Sequence, residues 1–192
     1  MLTNNEKELI QNIQRGKVHA FSELVDTYKD LVFTLSLRMM GNREEAEEVS
    51  QDTFIKVFNS LPNFKGDAKL STWIYRIAYN GCLDRLRANK KERIFKDVGE
   101  LEGIIFKDMD NALDAMVMEE QRELVNRCMS QLSTKDAGLL TLFYFEDKSL
   151  VEIEKVMDIP VGVLKVRLFR ARKKLAKLLE ISFKREIFQD NG

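Results

Sequence analysis

The residues best placed to do chemistry lie between Ile159 and Leu179, in IPVGVLKVRLFRARKKLAKLL, which carries seven Lys and Arg side chains from Lys165 onward and no acid. The chain of 192 residues has a formal net charge of +0, so positive charge has been gathered onto this one stretch. A helix-long run of cations suits a polyanion. At about 100° per residue, Leu164, Leu168, Ala171, Leu175 and Leu178 fall within roughly 40° of one line, the spacing of a buried helix face. Lys165, Arg167, Arg170, Lys173, Lys174 and Lys177 occupy the rest of the circumference, with the apolar Val166 and Phe169 among them. Two readings are open on this pattern. One is a solvated amphipathic helix whose Val166 and Phe169 touch a neighbouring element. The other is a recognition helix in a DNA major groove, with cations on phosphates or guanine edges and Val or Phe against thymine methyls.

What precedes the helix decides between them. Ser149-Leu150-Val151-Glu152 is a capping-box pattern, and the spacing predicts a short helix from about Ser149 to Met157. Asp158-Ile159-Pro160 then breaks it, because proline disfavours helical geometry in the residue before it yet fits a helix's first turn. A short helix, a tight turn and a long basic helix make a helix-turn-helix.

A second constellation runs from Asn63 in NFKGDAKLSTWIYRIAYNGCLDRLRANKKER. Phe64, Trp73, Tyr75 and Tyr79 are interleaved with Lys65, Arg76 and Asn80, and Arg85, Arg87, Lys90, Lys91 and Arg93 follow. Rings that stack on bases beside cations that hold the backbone are what single-stranded nucleic acid binding requires. The loop from Asn63 to Leu70, with Gly66 allowing a tight backbone, can hold an extruded base. The plainer alternative, that Trp73, Ile74 and Ile77 are core, fits those three residues but accounts less well for the polar loop and basic tail. A third pattern precedes this one: on one helix Ala46, Val49, Thr53, Phe54, Val57 and Phe58 read as the inner face, leaving Glu44, Glu45, Glu48 and Asp52 within roughly a 100° sector. This stripe is either a solvated face favoured by the helix dipole or a docking surface for a basic partner.

Helices must position all three. With two prolines, nine glycines and almost no alternating pattern, the chain reads as all-α. A first helix starts at Thr3-Asn4-Asn5-Glu6 and ends near Arg15-Gly16, and a second runs from about Lys17 to Met40 with Phe21, Leu24, Val25, Tyr28, Val32 and Leu35 inward. Gly41 stops it. Asn42 caps a third, which continues to Leu61, and a fourth runs from about Lys69 or Ser71 to Lys91. From Asp97 to Glu123 there are nine acidic residues against Lys107 and Arg122, the composition of a linker, although Leu101, Ile104, Ile105 and Phe106 suggest docking. Helices resume from Asn111 to Met129 and from Ser133 to Phe145, then the helix-turn-helix. The expected architecture is two small helical domains, 1–96 and 113–192, joined by an acidic linker at 97–112, the second carrying the helix-turn-helix.

Composition excludes other classes. No apolar run approaches the roughly 18 residues of a membrane span, and MLTNNEKELI lacks the positive and apolar regions of a secretion signal, so a cytoplasmic location without membrane insertion is expected. Cys82 and Cys128 are far apart and read as reduced, buried thiols. His19, the only histidine, reads as structural. With no Ser/His/Asp arrangement, metal-ligand cluster or phosphate-cradling glycine loop, no catalytic, metal or cofactor site is expected, and the chain reads as a binding protein rather than an enzyme.

Three blocks together make the chain similar to a known family. EEAEEVSQDTFIKVF resembles the polymerase-binding segment, NFKGDAKLSTWIYRIAYN the -10 reader and IPVGVLKVRLFRARKKL the -35 reader of the extracytoplasmic-function sigma factors, the small two-domain branch of the bacterial sigma-70 family. The resemblance covers about Phe21 to Lys91 and Leu132 to Leu178. It implies that Glu47, Glu48, Gln51 and Asp52, with Ile55, contact the clamp helices of core RNA polymerase. It implies that Asn63, Phe64, Lys65, Gly66 and Asp67 form the loop capturing a flipped non-template base, with Asn80 nearby and Arg76, Arg85 and Arg87 holding the strand or adjoining duplex. Lys165, Val166, Phe169 and Arg170 would face the -35 groove, and Arg167, Arg172 and Lys173 would contact phosphates. Core polymerase, promoter DNA and an anti-sigma factor are the implied partners, and the linker would lie in the RNA exit path. Val166 stands where the family commonly has a small polar residue and Val163 where it has threonine, so the promoter sequence does not carry over. A stand-alone helix-turn-helix regulator remains the alternative, though it leaves the aromatic loop and acidic stripe unexplained; a helical protein adaptor is opposed by the two basic segments.

Overall fold

The computed structural model describes residues 2–92 and 112–189, and every regular element among them is helical. In order these are α1 (Asn4–Gln14), α2 (Val18–Met40), α3 (Arg43–Ser60), α4 (Leu70–Glu92), α5 (Ala112–Ser130), α6 (Thr134–Leu140), α7 (Leu150–Met157) and α8 (Val161–Gln189). A single turn, Leu61–Asn63, leads out of α3, and a wider turn, Thr141–Phe145, leads out of α6. All but the last residue of the expected linker, together with Arg93 and the apolar Leu101 to Phe106, lies outside the described residues.

Local chemistry accounts for the boundaries. Thr3 and Ser149 each accept a backbone N–H from the Glu three residues on, while that Glu's side chain accepts from the cap's own N–H, so both helix starts carry a complete capping box. Asn42 accepts from the Glu45 N–H at 2.9 Å to start α3. Gly41 ends α2 at φ 67, a left-handed conformation that glycine adopts without a Cβ clash. Asp158 takes φ 56 to end α7, a geometry that short polar side chains tolerate. Replacing Ser149 by alanine should remove about 1 kcal/mol. In a chain of this size that lowers the melting temperature by roughly 2–4 °C, measurable by calorimetry.

The inner face expected for α2 is present in Leu24, Tyr28, Val32 and Leu35, all buried, with Phe21 and Val25 partly so. On α3, Ala46, Val49, Thr53 and Val57 are buried, but Phe58 is not part of the core: it is 54% exposed, and its ring meets that of Phe21 edge-on, centroids 4.9 Å apart. The second unit packs α5, α6 and α7 on α8, whose Leu164, Leu168 and Ala171 are buried as the spacing requires. The two units share one hydrophobic cluster. Helix α7 lies along α4, and α6 lies on α2.

Candidate nucleic-acid interface

Helix α8 turns its leucines inward and so presents Lys165, Val166, Phe169, Arg170 and Lys173 together to solvent. Val166 is 50% and Phe169 60% exposed, apolar surface flanked by cations on a helix set by the α7 turn. Glu154 of α7 accepts from the Val161 N–H at 3.3 Å, which fixes where α8 begins. Two of the expected phosphate-binding arginines are differently engaged. Arg167 Nε donates to Asp136 at 2.7 Å in a half-buried pair with the start of α6, so it braces α8 rather than extending from it. Arg172 stays exposed but donates to the Tyr144 hydroxyl at 3.2 Å.

The loop before α4 forms a cavity. Asn63, Phe64, Lys65, Asp67, Ala68, Thr72, Trp73 and Arg76 line a space of ≈ 340 Å³. The Phe64 ring lies 4.7 Å from the Trp73 ring at an interplanar angle of 34°, so an aromatic wall stands beside Lys65 and Arg76. Gly66 makes the turn at φ 77, where an added Cβ would also come within 3.3 Å of Leu2 Cδ1. At about 100° per residue, Arg76, Asn80 and Arg87 share a stripe roughly 40° wide, while Arg85 lies about 180° away. Asn80 is exposed on that stripe but does not line the cavity, and Arg87 pairs with Asp84 at 2.9 Å. Arg85 points to α3 instead, where its guanidinium pairs with Glu48.

The acidic face of α3 is therefore partly neutralised from within. Glu48 holds Arg85, Glu45 accepts from Asn89, and Glu47 pairs with Arg43 at 2.8 Å. Gln51 and Asp52 remain exposed beside Ile55, itself 59% exposed. His19, expected to be structural, is an exposed side chain on a shallow surface groove with Asn12, Lys17 and Glu23.

Some functional surroundings could not be found in the sequence. The cavity's last wall is Lys155 of α7, whose ammonium donates to the Asp67 carbonyl at 3.1 Å. Beside it Lys69 pairs with Glu152 at 2.8 Å. That pairing, with the Ser149 cap, holds the Glu152 carboxyl down at about 2 from an ordinary 4.5. Its contribution to stability is then complete above about pH 4.5 and lost as pH falls toward 2. Tyr75 and Tyr79, candidates for base stacking by composition, are each only 1% exposed. Tyr75 donates to Glu146 of the second unit, and burial raises both groups above their ordinary values. No residue pattern within α4 signals these partners, because they arrive from a segment more than seventy residues away.

Two family models match: Sigma-70 region 2 over residues 24–92 and Sigma-70, region 4 over residues 122–175. The chain is 35% identical over 179 residues to the ECF RNA polymerase sigma factor SigW of Bacillus subtilis, covering 90% of this chain and 96% of that one. It is 35% identical over 187 residues to the RNA polymerase sigma-H factor of Pseudomonas aeruginosa, covering 94% and 97%. Among solved structures, the sigma factor RpoE of Bartonella quintana, in complex with the anti-sigma factor NepR, superposes with a TM-score of 0.70 at 19% identity, covering 85% of this chain and 99% of that one.

Proposed function

The chain belongs to the extracytoplasmic-function sigma factors of the sigma-70 family, and from that premise we propose how its surfaces divide the work of promoter recognition. It binds core RNA polymerase, recognises the -35 and -10 elements and promotes melting for transcription initiation. The observation that supports this division is the presentation of two distinct basic surfaces, the exposed Lys165, Val166, Phe169 and Arg170 on α8 and the aromatic, basic cavity before α4.

Residues 113–192 read the -35 duplex. Lys165 and Arg170 reach base edges or phosphates, Val166 and Phe169 offer apolar contact to thymine methyls, and Lys173 holds the backbone. Arg172 reaches phosphate if it releases Tyr144, whereas Arg167 acts through Asp136 by fixing the helix. Residues 1–96 take the melted strand. A base leaving the stack costs a few kcal/mol, and stacking on an aromatic wall such as Phe64 and Trp73 returns about 1–3 kcal/mol per base. Asn63, Lys65, Gly66 and Asp67 shape the cavity, while Arg76, Asn80 and Arg87 track the strand along α4. Strand opening then follows from preferential affinity for the open form, with no covalent step assigned to this chain.

The α3 face supplies the polymerase contact, with Gln51, Asp52 and Ile55 free to dock and Glu47 and Glu48 exchanging Arg43 and Arg85 for the partner's cations. An anti-sigma factor is a further partner on this reading, and the protein works in the cytoplasm, where core polymerase acts. Transcription from genomic DNA by core polymerase, with and without the protein, tests the proposal. Protein-dependent start sites sharing two upstream elements are expected; their absence would overturn it.

A further inference from the structure

The loop that lines the cavity before α4 has little structure of its own. The Phe64 N–H bonds the Leu61 carbonyl at 3.1 Å at its start, and the Trp73 N–H bonds the Lys69 carbonyl at 3.1 Å at its end. Between them, among the described residues, no hydrogen bond joins Lys65, Gly66, Asp67 or Ala68 to another backbone group. Gly66 makes its left-handed turn, φ 77, within this stretch. The shape of the loop must therefore be set from outside it.

One outside side chain reaches the turn. A Cβ added at Gly66 would lie 3.3 Å from Leu2 Cδ1 and 4.0 Å from Leu2 Cγ, and, adjacent residues apart, no other described atom comes within 4 Å. Leu2 is half-buried against the core just ahead of α1. The cap that follows fixes its place: the Thr3 N–H and hydroxyl donate to the Glu6 carboxylate at 2.7 and 3.0 Å, and the Glu6 N–H donates back to the hydroxyl at 3.2 Å. Farther along α1, Ile10 and Ile13 are buried where the helix packs on α2, and α1 also packs on the Leu61–Asn63 turn that leads into the loop. The Glu6 carboxylate lies beside the Tyr28 hydroxyl of α2, which burial first and that carboxylate second push up to about 12. All of this precedes residue 24, where the region 2 match begins.

We propose that the segment from Leu2 to Glu6 braces the strand-capture loop, with Leu2 a positioning residue that holds the Gly66 turn, and Lys65 and Asp67 on either side of it, in the shape that receives a base. The inference rests on the promoter-reading function above and adds to it an element from outside the matched region. A loop already held in its receiving shape loses less conformational entropy when the base arrives. Leu2 touches no DNA in this role. Its loss is felt as weaker discrimination for a base in the cavity, not as weaker binding of duplex or of polymerase.

The test uses the full chain assembled with core polymerase. Run-off transcription maps a start site, and a single-stranded oligonucleotide copied from the non-template strand at its -10 element is made intact and with an abasic site at each position in turn. The position where base loss costs the wild-type complex most affinity is the captured one, and the intact-to-abasic affinity ratio there is the readout. Leu2→Ala should lower that ratio about threefold to tenfold. Affinity for core polymerase and for a double-stranded -35 fragment should stay within twofold of wild type. Leu2→Met, which conserves volume and apolarity, should restore the ratio to within twofold. Thr3→Ala, which removes the cap without touching loop or core, should lower the ratio at least twofold, and it decides the matter if Leu2→Ala does not fold. An unchanged ratio in Leu2→Ala, or in Thr3→Ala where that variant decides, overturns the brace. So does an equal loss in Leu2→Met, or a loss of duplex and polymerase binding as large as the loss of discrimination. Wild-type run-off separates the two readings: protein-dependent start sites with any of these results refute the brace alone, whereas no such start sites refute promoter reading itself and the brace with it.

Discussion

Asp52→Lys should lower affinity for core polymerase by about thirty-fold or more, about 2 kcal/mol, with little change in thermal stability. Asp52 is exposed in the middle of α3, beyond the first turn where a carboxylate gains from the helix dipole, and it carries no ion pair among the described residues. Folding therefore gains little from its charge. A cationic partner would gain directly, and reversing the charge converts that attraction into repulsion at the centre of a face that also exposes Ile55. Glu48 is a poorer probe because it holds Arg85, so its replacement disturbs the α3–α4 contact as well as docking. Fluorescence anisotropy of labelled protein titrated with core polymerase measures the effect, and unchanged affinity would remove α3 from the polymerase interface.

The same contrast between local and distant causes explains what the sequence could say. Capping residues act on amides three positions away, so Thr3, Asn42, Ser149, Gly41 and the Asp158-Ile159-Pro160 turn announce the helix boundaries directly. The periodicity of α2 and α8 likewise reports their buried faces, because those faces are set by helix geometry. Phe58 lies about 100° round the helix from Val57, off the line of Ala46, Val49, Thr53 and Val57, and it is exposed although its ring meets the edge of Phe21. Arg85 and Arg167 show the limit for charged groups. Composition placed both with nucleic acid, but each meets a carboxylate on a neighbouring helix, which spacing along its own helix could not reveal. Lys155 is the strongest case: it is an ordinary cation in α7 and becomes part of the cavity before α4 only through the packing of α7 on α4.

Arg170→Ala and Asn80→Ala should separate the two reading steps. Arg170 is exposed next to Phe169 on the solvent face of α8, where loss of a bidentate base contact typically costs about 1–3 kcal/mol, roughly five-fold to over a hundred-fold in duplex affinity. Binding of polymerase holoenzyme to double-stranded promoter DNA should weaken by that factor, while opening of a template already melted at the -10 element should be unaffected. Asn80 is exposed one turn beyond Arg76 and aligned with Arg87, on the stripe a strand leaving the cavity would follow. Its loss should leave duplex binding intact and slow open-complex formation, read by permanganate reactivity of unpaired thymines, with recovery on the pre-melted template. The two variants lie on different units and on faces without a shared partner, so their free-energy effects should add in the double variant to within about 0.5 kcal/mol. Equal loss of duplex binding and opening in both single variants would mean that the surfaces do not act in sequence, and the assignment of duplex reading to α8 and strand capture to α4 would fail.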